Sequence, residues 1–225
     1  MQMNMGPVEE VKNMKIVCIG DSITHGYKIR TSQIWTSLIQ KINEVQVLNK
    51  GIIGDSTTNM VTRFHEDVIE NNPSHVIIMG GINDLISGVP TDVICENVFA
   101  LVLQAYVNNI IPIIGVQFLT EPLTAAEYWP DVDDFIKLNK KLSDLRRLLL
   151  ELSKTYRIKI IDFYTEMKKH IKAGNKLNIY IDGLHLNVLG NEIIASVVNT
   201  YLNKTYSKAK AVRFPQLNLI RITSV

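Results

Sequence analysis

The chain has 225 residues, of which 46% are hydrophobic and 20% charged, a composition typical of a folded globular protein rather than of a disordered one. Lysine and arginine (24) nearly balance aspartate and glutamate (22), so the formal net charge of +2 gives no broad positive field for a nucleic-acid backbone. No stretch approaches the ~20 apolar residues of a membrane-spanning helix. We therefore expect a cytoplasmic protein without a nucleic-acid partner, although a mature protein that has lost a signal peptide would read the same way.

Five short apolar runs with the composition of buried strands alternate with longer amphipathic segments. The runs are KIVCI, VQVLN, HVIIM, IPIIGV and IKIID, at residues 15–19, 45–49, 75–79, 111–116 and 158–162. Helical periodicity predicts helices at residues 31–43, 57–71, 91–109, 132–154, 163–173 and 187–206. This alternation predicts an α/β fold with a flavodoxin-like, doubly wound, parallel five-stranded sheet between two layers of helices.

The domain organisation follows from the same pattern. Residues 1–206 are expected to form a single domain, because no linker-like stretch divides them. The tail at residues 207–225 fits none of the alternation, and an edge strand, an interaction arm and a cloning remnant all remain open for it. Cys18 lies in an apolar run and Cys95 in a helical segment, which favours two unpaired buried thiols over a disulfide or a metal pair.

The loop after the first run contains a candidate nucleophile. Because ligands bind at the carboxyl ends of the strands in such a sheet, Ser22 of the sequence Gly20-Asp21-Ser22 would lie at the binding edge. A helix beginning there would also supply free backbone N–H groups. The same IGDS tetrapeptide recurs at residues 53–56, and the alternative role for Ser22 is a helix cap.

Two later loops add polar groups suited to acyl transfer. Gly81, Asn83 and Asp84 follow the third run, and the amide of Asn83 is an uncharged donor suited to an oxyanion hole, or else part of a capped turn. Asp182 and His185 stand three residues apart, a spacing that can place a carboxylate beside an imidazole. A surface histidine or a metal ligand is the alternative for this pair.

In order along the chain, these stretches resemble the signature blocks of the GDSL or SGNH hydrolase family. The matching segments are GDSITHGY, NKGIIGDST, GGIND and DGLHLN, and they span most of the chain. The resemblance implies the SGNH three-layer α/β/α fold, with Ser22 as nucleophile, His185 as base and Asp182 as its partner. It further implies an oxyanion hole formed by the amides of Ser22 and Gly54 and the side chain of Asn83.

The resemblance also implies different roles for the two IGDS stretches. It assigns the second one to the glycine block, whose useful atom is the backbone N–H of Gly54. Ser56 and Thr57 are then left to begin a helix, where a hydroxyl is most simply an N-cap.

The function implied is hydrolysis of small-molecule carboxylic esters or thioesters, of the esterase, acetylhydrolase or lysophospholipase type, without cofactor or metal. Two alternatives remain open. One is a non-catalytic, flavodoxin-like binding module, although the chain lacks the GxxxxGK[ST] and GxGxxG nucleotide motifs. The other is a metal-dependent phosphoester hydrolase, whose candidate ligands are Asp21, His25, Asp84, Asp182 and His185.

The substrate pocket is expected among apolar residues that flank the motifs. The long connection at residues 117–132 is a further candidate for substrate contact, because long loops in compact domains are often functional. The sequence does not indicate the oligomeric state. The predicted pocket residues are Ile23, Leu85, Ile86, Phe118 and Trp129.

Overall fold

A parallel sheet forms the centre of the molecule in a computed structural model that describes residues 14–172 and 178–206. Within these residues the strands are β1 (Lys15–Gly20), β2 (Gln46–Gly51), β3 (His75–Met79), β4 (Ile111–Val116) and β5 (Lys159–Asp162). Their order is β2-β1-β3-β4-β5, and every neighbouring pair is parallel. The chain therefore reverses its winding direction beside β1, which is where ligands bind in doubly wound sheets.

Helices cover both faces of the sheet. They are α1 (Ser22–His25), α2 (Trp35–Asn43), α3 (Thr57–Asp67), α4 (Ile82–Ile86), α5 (Thr91–Val107), α6 (Pro122–Tyr128), α7 (Phe135–Tyr156), α8 (Phe163–Lys172) and α9 (Val188–Tyr206). Helices α3, α5 and α7 pack with Val17 and Ile19 on one face, whereas α2, α8 and α9 pack with Ile16 and Cys18 on the other. Alternate residues of β1 thus serve two cores, which confirms the predicted three-layer α/β/α fold.

The helices that the periodicity did not predict are α1, α4 and α6, with four, five and seven residues. Each follows a strand and is too short to show a helical repeat. The connection at residues 117–132, expected to be irregular, contains α6, which has Pro122 in its first turn and the Glu121 carboxylate accepting the N–H of Thr124. Two predicted helices are interrupted: ³₁₀ turns at Thr31–Gln33 and Ile69–Asn71 adjoin α2 and α3.

Two other expectations concern the thiols and the membrane. Cys18 is buried, Cys95 is half-buried, and both are free. Among the helices in the described part of the chain, none is long and apolar enough to cross a bilayer. The tail at residues 207–225 lies outside the described residues, so its role and the predicted domain boundary stay predictions.

The register of the sheet brings three strand ends level. Gly20 at the end of β1 pairs with Gly51 of β2 on one side and with Met79 of β3 on the other. A Cβ on Gly51 would lie 2.1 Å from the backbone nitrogen of His25, and one on Gly20 would lie 2.4 Å from the Met79 carbonyl oxygen. Both positions require glycine because backbone approaches them this closely.

The second IGDS stretch begins a helix, as the sequence predicts. The hydroxyl oxygen of Ser56 accepts the N–H of Asn59 at 3.2 Å and caps α3. The hydroxyl of Thr57 donates instead to the Asp84 carboxylate at 2.7 Å. Ser56 thus performs a structural role at the start of α3.

Candidate active site

The turn after β1 holds Ser22 at the start of a short helix. Asp21 is the N-cap of α1, and its carboxylate accepts the N–H of Ile23 at 2.9 Å. The helix ends after four residues at Gly26, whose N–H donates to the Ser22 carbonyl at 3.0 Å. The Asp21 side chain and the Gly26 backbone therefore fix the turn on both sides of Ser22, whose hydroxyl lies within hydrogen-bonding distance of a histidine from the far end of the chain.

That histidine lies in the loop before α9 and joins Ser22 to a carboxylate. His185 Nε2 is 2.9 Å from Ser22 Oγ, and His185 Nδ1 is 2.9 Å from Asp182 Oδ2. The other carboxylate oxygen accepts the N–H groups of Leu184 and His185 at 3.1 and 2.8 Å. With Nδ1 donating to Asp182, Nε2 is left to accept the proton of the serine hydroxyl.

Burial and hydrogen bonding set the charges of this group. Ser22, His185 and Asp182 are 5%, 4% and 1% exposed. Burial alone would raise the pKa of Asp182, but the hydrogen bonds from His185 and Leu184 hold that pKa below its usual value. Burial lowers the pKa of His185 more than Asp182 raises it, and the charge of Lys28 lowers it further. The imidazole is therefore neutral at neutral pH and can accept a proton.

The loops after β2 and β3 are joined by a hydrogen bond and start from the same edge of the sheet as the Ser22 turn. Gly54 has a φ of +76°, in the left-handed region, and a Cβ added there would meet open space. Asn83 Nδ2 donates one hydrogen bond to the Asp55 carbonyl at 2.9 Å. An amide nitrogen carries two N–H groups, so Asn83 keeps a second one for another acceptor.

Buried charges hold these loops in place. The Asp84 carboxylate accepts the backbone N–H and the hydroxyl of Thr57. Arg63 of α3 pairs with Asp55 at 2.7 Å and donates to the carbonyl of Gly20 at 3.1 Å. Arg63 thereby ties the end of β1 to the glycine block, a role that nothing in the local sequence indicates because Gly20 lies 43 residues away in the chain.

Comparison with known proteins identifies the family of this chain. A model of the GDSL-like Lipase/Acylhydrolase family matches residues 18–193. The chain belongs to this family. It is similar to an arylesterase of Vibrio mimicus, with 31% identity over 93 residues that make up 39% of this chain and 46% of the relative. An esterase, TesA, of Pseudomonas aeruginosa is 28% identical over 95 residues, or 40% of this chain and 47% of the relative. The matched segment spans about half the length of these curated relatives.

Solved structures share the fold of this GDSL-like chain over more of its length. A lipase/acylhydrolase from Enterococcus faecalis superimposes with a TM-score of 0.71 at 22% identity, covering 88% of this chain and 100% of that one. An acetylxylan esterase from Geobacillus stearothermophilus gives a TM-score of 0.69 at 21% identity, covering 92% and 100%. At these identities the likeness establishes a common fold.

Aromatic rings flank the histidine in this GDSL-like chain. The ring centroids of Tyr27 and His185 are 4.2 Å apart, and those of Trp129 and His185 are 5.5 Å apart. The Lys28 ammonium lies 5.0 Å from the centroid of the Tyr27 ring. Tyr27 was not among the predicted site residues, although its place at the end of the GDSITHGY block is a signal that could have identified it.

The five predicted pocket residues lie in different surroundings. Ile23, Leu85 and Phe118 are 5%, 2% and 2% exposed and belong to the hydrophobic cores, so they present little surface to a ligand. Ile86 is 36% exposed and lies in a groove with residues 131–134, whereas Trp129 packs beside His185. Trp129 thus lies where a ligand bound beside His185 would meet it.

The candidate ligands of a metal site do not converge. His25 Nδ1 is 3.1 Å from the Gly51 carbonyl, Asp84 is bonded to Thr57, and Asp182 is bonded to His185. Within the described residues, no three histidine, cysteine, aspartate or glutamate side chains are arranged to hold a metal ion. The geometry of these residues gives the phosphoesterase hypothesis no support.

We expect the charge of Lys28 to act on His185. Lys28→Met removes a cation that disfavours the imidazolium, so the pKa of His185 should rise toward its ordinary value. An NMR titration of the histidine rings, assigned with His185→Asn, measures this. Lys154→Met, on an exposed position of α7, is the matched control and should change nothing. An unchanged midpoint in Lys28→Met would contradict the electrostatic role of Lys28.

Proposed function

We propose that the chain is a serine hydrolase that cleaves carboxylic esters or thioesters through an acyl-enzyme on Ser22. The observation that carries the proposal is the buried chain of hydrogen bonds from Ser22 through His185 to Asp182. A serine hydroxyl is a weak nucleophile at neutral pH, and an adjacent neutral imidazole is the base that activates it. Membership of the GDSL-like family is consistent with this chemistry.

Acylation proceeds by proton transfer within this group. Ser22 Oγ attacks the acyl carbon as its proton moves to His185 Nε2, and Asp182 stabilises the resulting imidazolium through Nδ1. The N–H groups of Ser22 and Gly54 and the second N–H of Asn83 receive the negative charge on the acyl oxygen. His185 then gives the proton to the departing alcohol or thiol, which leaves the acyl group on Ser22.

Deacylation repeats these steps with water. His185 Nε2 takes a proton from a water molecule, the hydroxide attacks the ester on Ser22, and the same N–H groups hold the second oxyanion. The proton returns to Ser22 and the acid leaves. The chain's own residues supply every group that moves a proton, so the mechanism uses no cofactor or metal.

The substrate class we propose is a small carboxylic ester. The aromatic rings of Tyr27 and Trp129 beside His185 give the acyl or alcohol portion an apolar surface to contact. The relatives described above include an arylesterase and an acetylxylan esterase, whose names refer to esters of small acids or small alcohols. This supports assays on aryl acetates and acetylated sugars.

Ser22 and Ser56, the serines of the two IGDS stretches, are expected to have different roles: one in catalysis, the other in stability. Ser22→Ala should remove nearly all ester hydrolysis, and the double variant Ser22→Ala/His185→Ala should be hardly worse, because the two residues act as one unit. Ser56→Ala should keep wild-type kcat/KM and lose only its cap on α3, about 0.5–2 kcal/mol of stability. Steady-state kinetics and thermal unfolding of the three variants measure this. Wild-type turnover in Ser22→Ala would refute the proposal.

Asn83 should act on the transition state. Asn83→Ala is expected to lower kcat by roughly 10²–10³ with little change in KM, because its partner charge appears only in the tetrahedral intermediate. The matched control is Asn97→Ala, which also loses an amide that donates to the start of α3, at Thr57 and Thr58. Asn97→Ala should lower the melting temperature without lowering kcat. Equal kcat values in the two variants would mean that Asn83 serves only to hold its loop.

A further inference from the structure

One buried amide bridges the turn that holds Ser22 and the turn that holds Asn83. Gln117 is the first residue after β4 and is 3% exposed. Its Nε2 donates to the Asp21 carboxylate at 2.6 Å, and its Oε1 accepts the backbone N–H of Ile82 at 3.0 Å. The side chain thus reaches past the end of β3 and joins segments that lie 96 and 35 residues away in sequence.

The hydrogen-bonding pattern fixes which way the amide points. The N–H of Ile82 is the first of helix α4, where no intrahelical acceptor exists, and a backbone N–H can only donate. Oε1 must therefore face Ile82, which turns Nε2 toward Asp21. Nε2 also only donates, and a donated hydrogen bond is stronger to a carboxylate oxygen than to a neutral carboxyl group. Gln117 therefore favours the ionised form of Asp21.

Burial and neighbouring carboxylates disfavour the ionised form of Asp21. Asp21 is fully buried, and desolvation raises its pKa to about 7, against the hydrogen bonds from Ile23 and Gln117 that lower it. The nearby carboxylates of Asp55 and Asp84 raise the pKa further. Arg63, which pairs with Asp55, offsets part of that negative charge. As a carboxylate, Asp21 is the N-cap that begins α1 directly before Ser22.

We propose that Gln117 is a positioning residue for hydrolysis: it orients Asp21 as the cap of α1, favours its ionised form and fixes the first turn of α4, so that Ser22 and Asn83 keep their relative placement. The inference rests on the proposed function, because it assigns a role to a residue that touches neither the substrate nor the reacting atoms. It predicts a loss in kcat rather than in binding.

The first test removes both hydrogen bonds with little change in volume. Gln117→Leu should lower kcat by about 10- to 100-fold with KM within about twofold, since displacement of a catalytic group by about 1 Å costs this much. Ser153→Ala is the control: it deletes another buried hydrogen bond, from the Ser153 hydroxyl to the Ile158 carbonyl at 2.7 Å, on the far part of α7. It should lower the melting temperature and leave kcat unchanged.

The second test uses a variant in which the hydrogen bonds from residue 117 to Asp21 and Ile82 form only when a carboxyl group is protonated. In Gln117→Glu, a protonated carboxyl can donate to Asp21 and accept from Ile82, whereas an ionised one would repel the Asp21 carboxylate. Two carboxyl groups in contact share one proton and release it at raised pH. The ratio of Gln117→Glu to wild-type kcat should therefore be near one at pH 6 and fall by about tenfold or more by pH 9. The ratio removes the common dependence on His185.

The outcomes separate the inference from the function on which it rests. Residual hydrolysis in Ser22→Ala at the wild-type level would refute the proposed function itself. If Ser22→Ala is inactive but Gln117→Leu keeps wild-type kcat, or the Gln117→Glu ratio is flat with pH, the positioning role alone is overturned. Should Gln117→Leu fail to fold, the pH dependence of Gln117→Glu still decides, because that variant has the intact bridge at low pH.

Discussion

The parallel register of β1 with both of its neighbours is the constraint on which the site depends. Gly20 is level with Gly51 and Met79, so the loops carrying Ser22, Gly54 and Asn83 all start from one edge of the sheet. This approach requires the glycines that end β1 and β2, where a Cβ would collide with the backbone of Met79 or His25. Backbone packing thus determines where the proposed catalytic groups lie.

Buried carboxylates then connect the loops at this edge of the sheet through hydrogen bonds and an ion pair. At this edge Asp21 accepts a hydrogen bond from Gln117 after β4, whereas Asp55 and Asp84 are bonded to Arg63 and Thr57 of α3. A buried charge is stable only when it is paired or hydrogen-bonded. Removing any one of these donors would leave an unpaired buried carboxylate and destabilise the folded protein. The same rule governs Asp182, which accepts hydrogen bonds from both the backbone and the ring of His185.

The sequence predicted the elements with strong periodicity, and it predicted less where contacts are long-range. The five strands and six longer helices lie close to their predicted positions, and the four motif blocks predicted the family. Helices α1, α4 and α6 are shorter than two helical turns, so no repeat could reveal them. Phe118 shows a further limit: it follows a strand beside the motifs, but which way its side chain points depends on tertiary packing. Gln117 and Tyr27 gain their roles only through partners distant in the chain.

The central claim is that Ser22 is the nucleophile and that Gly54 and Asn83 hold the oxyanion. The most direct measurement is a crystal structure of the protein after reaction with a small alkyl fluorophosphonate, with the adduct mass determined beforehand. The account predicts a single phosphonyl group on Ser22 Oγ, its phosphoryl oxygen about 2.7–3.1 Å from the N–H groups of Ser22 and Gly54 and from Asn83 Nδ2. An adduct on another residue, or a phosphoryl oxygen directed away from Gly54 and Asn83, would contradict it.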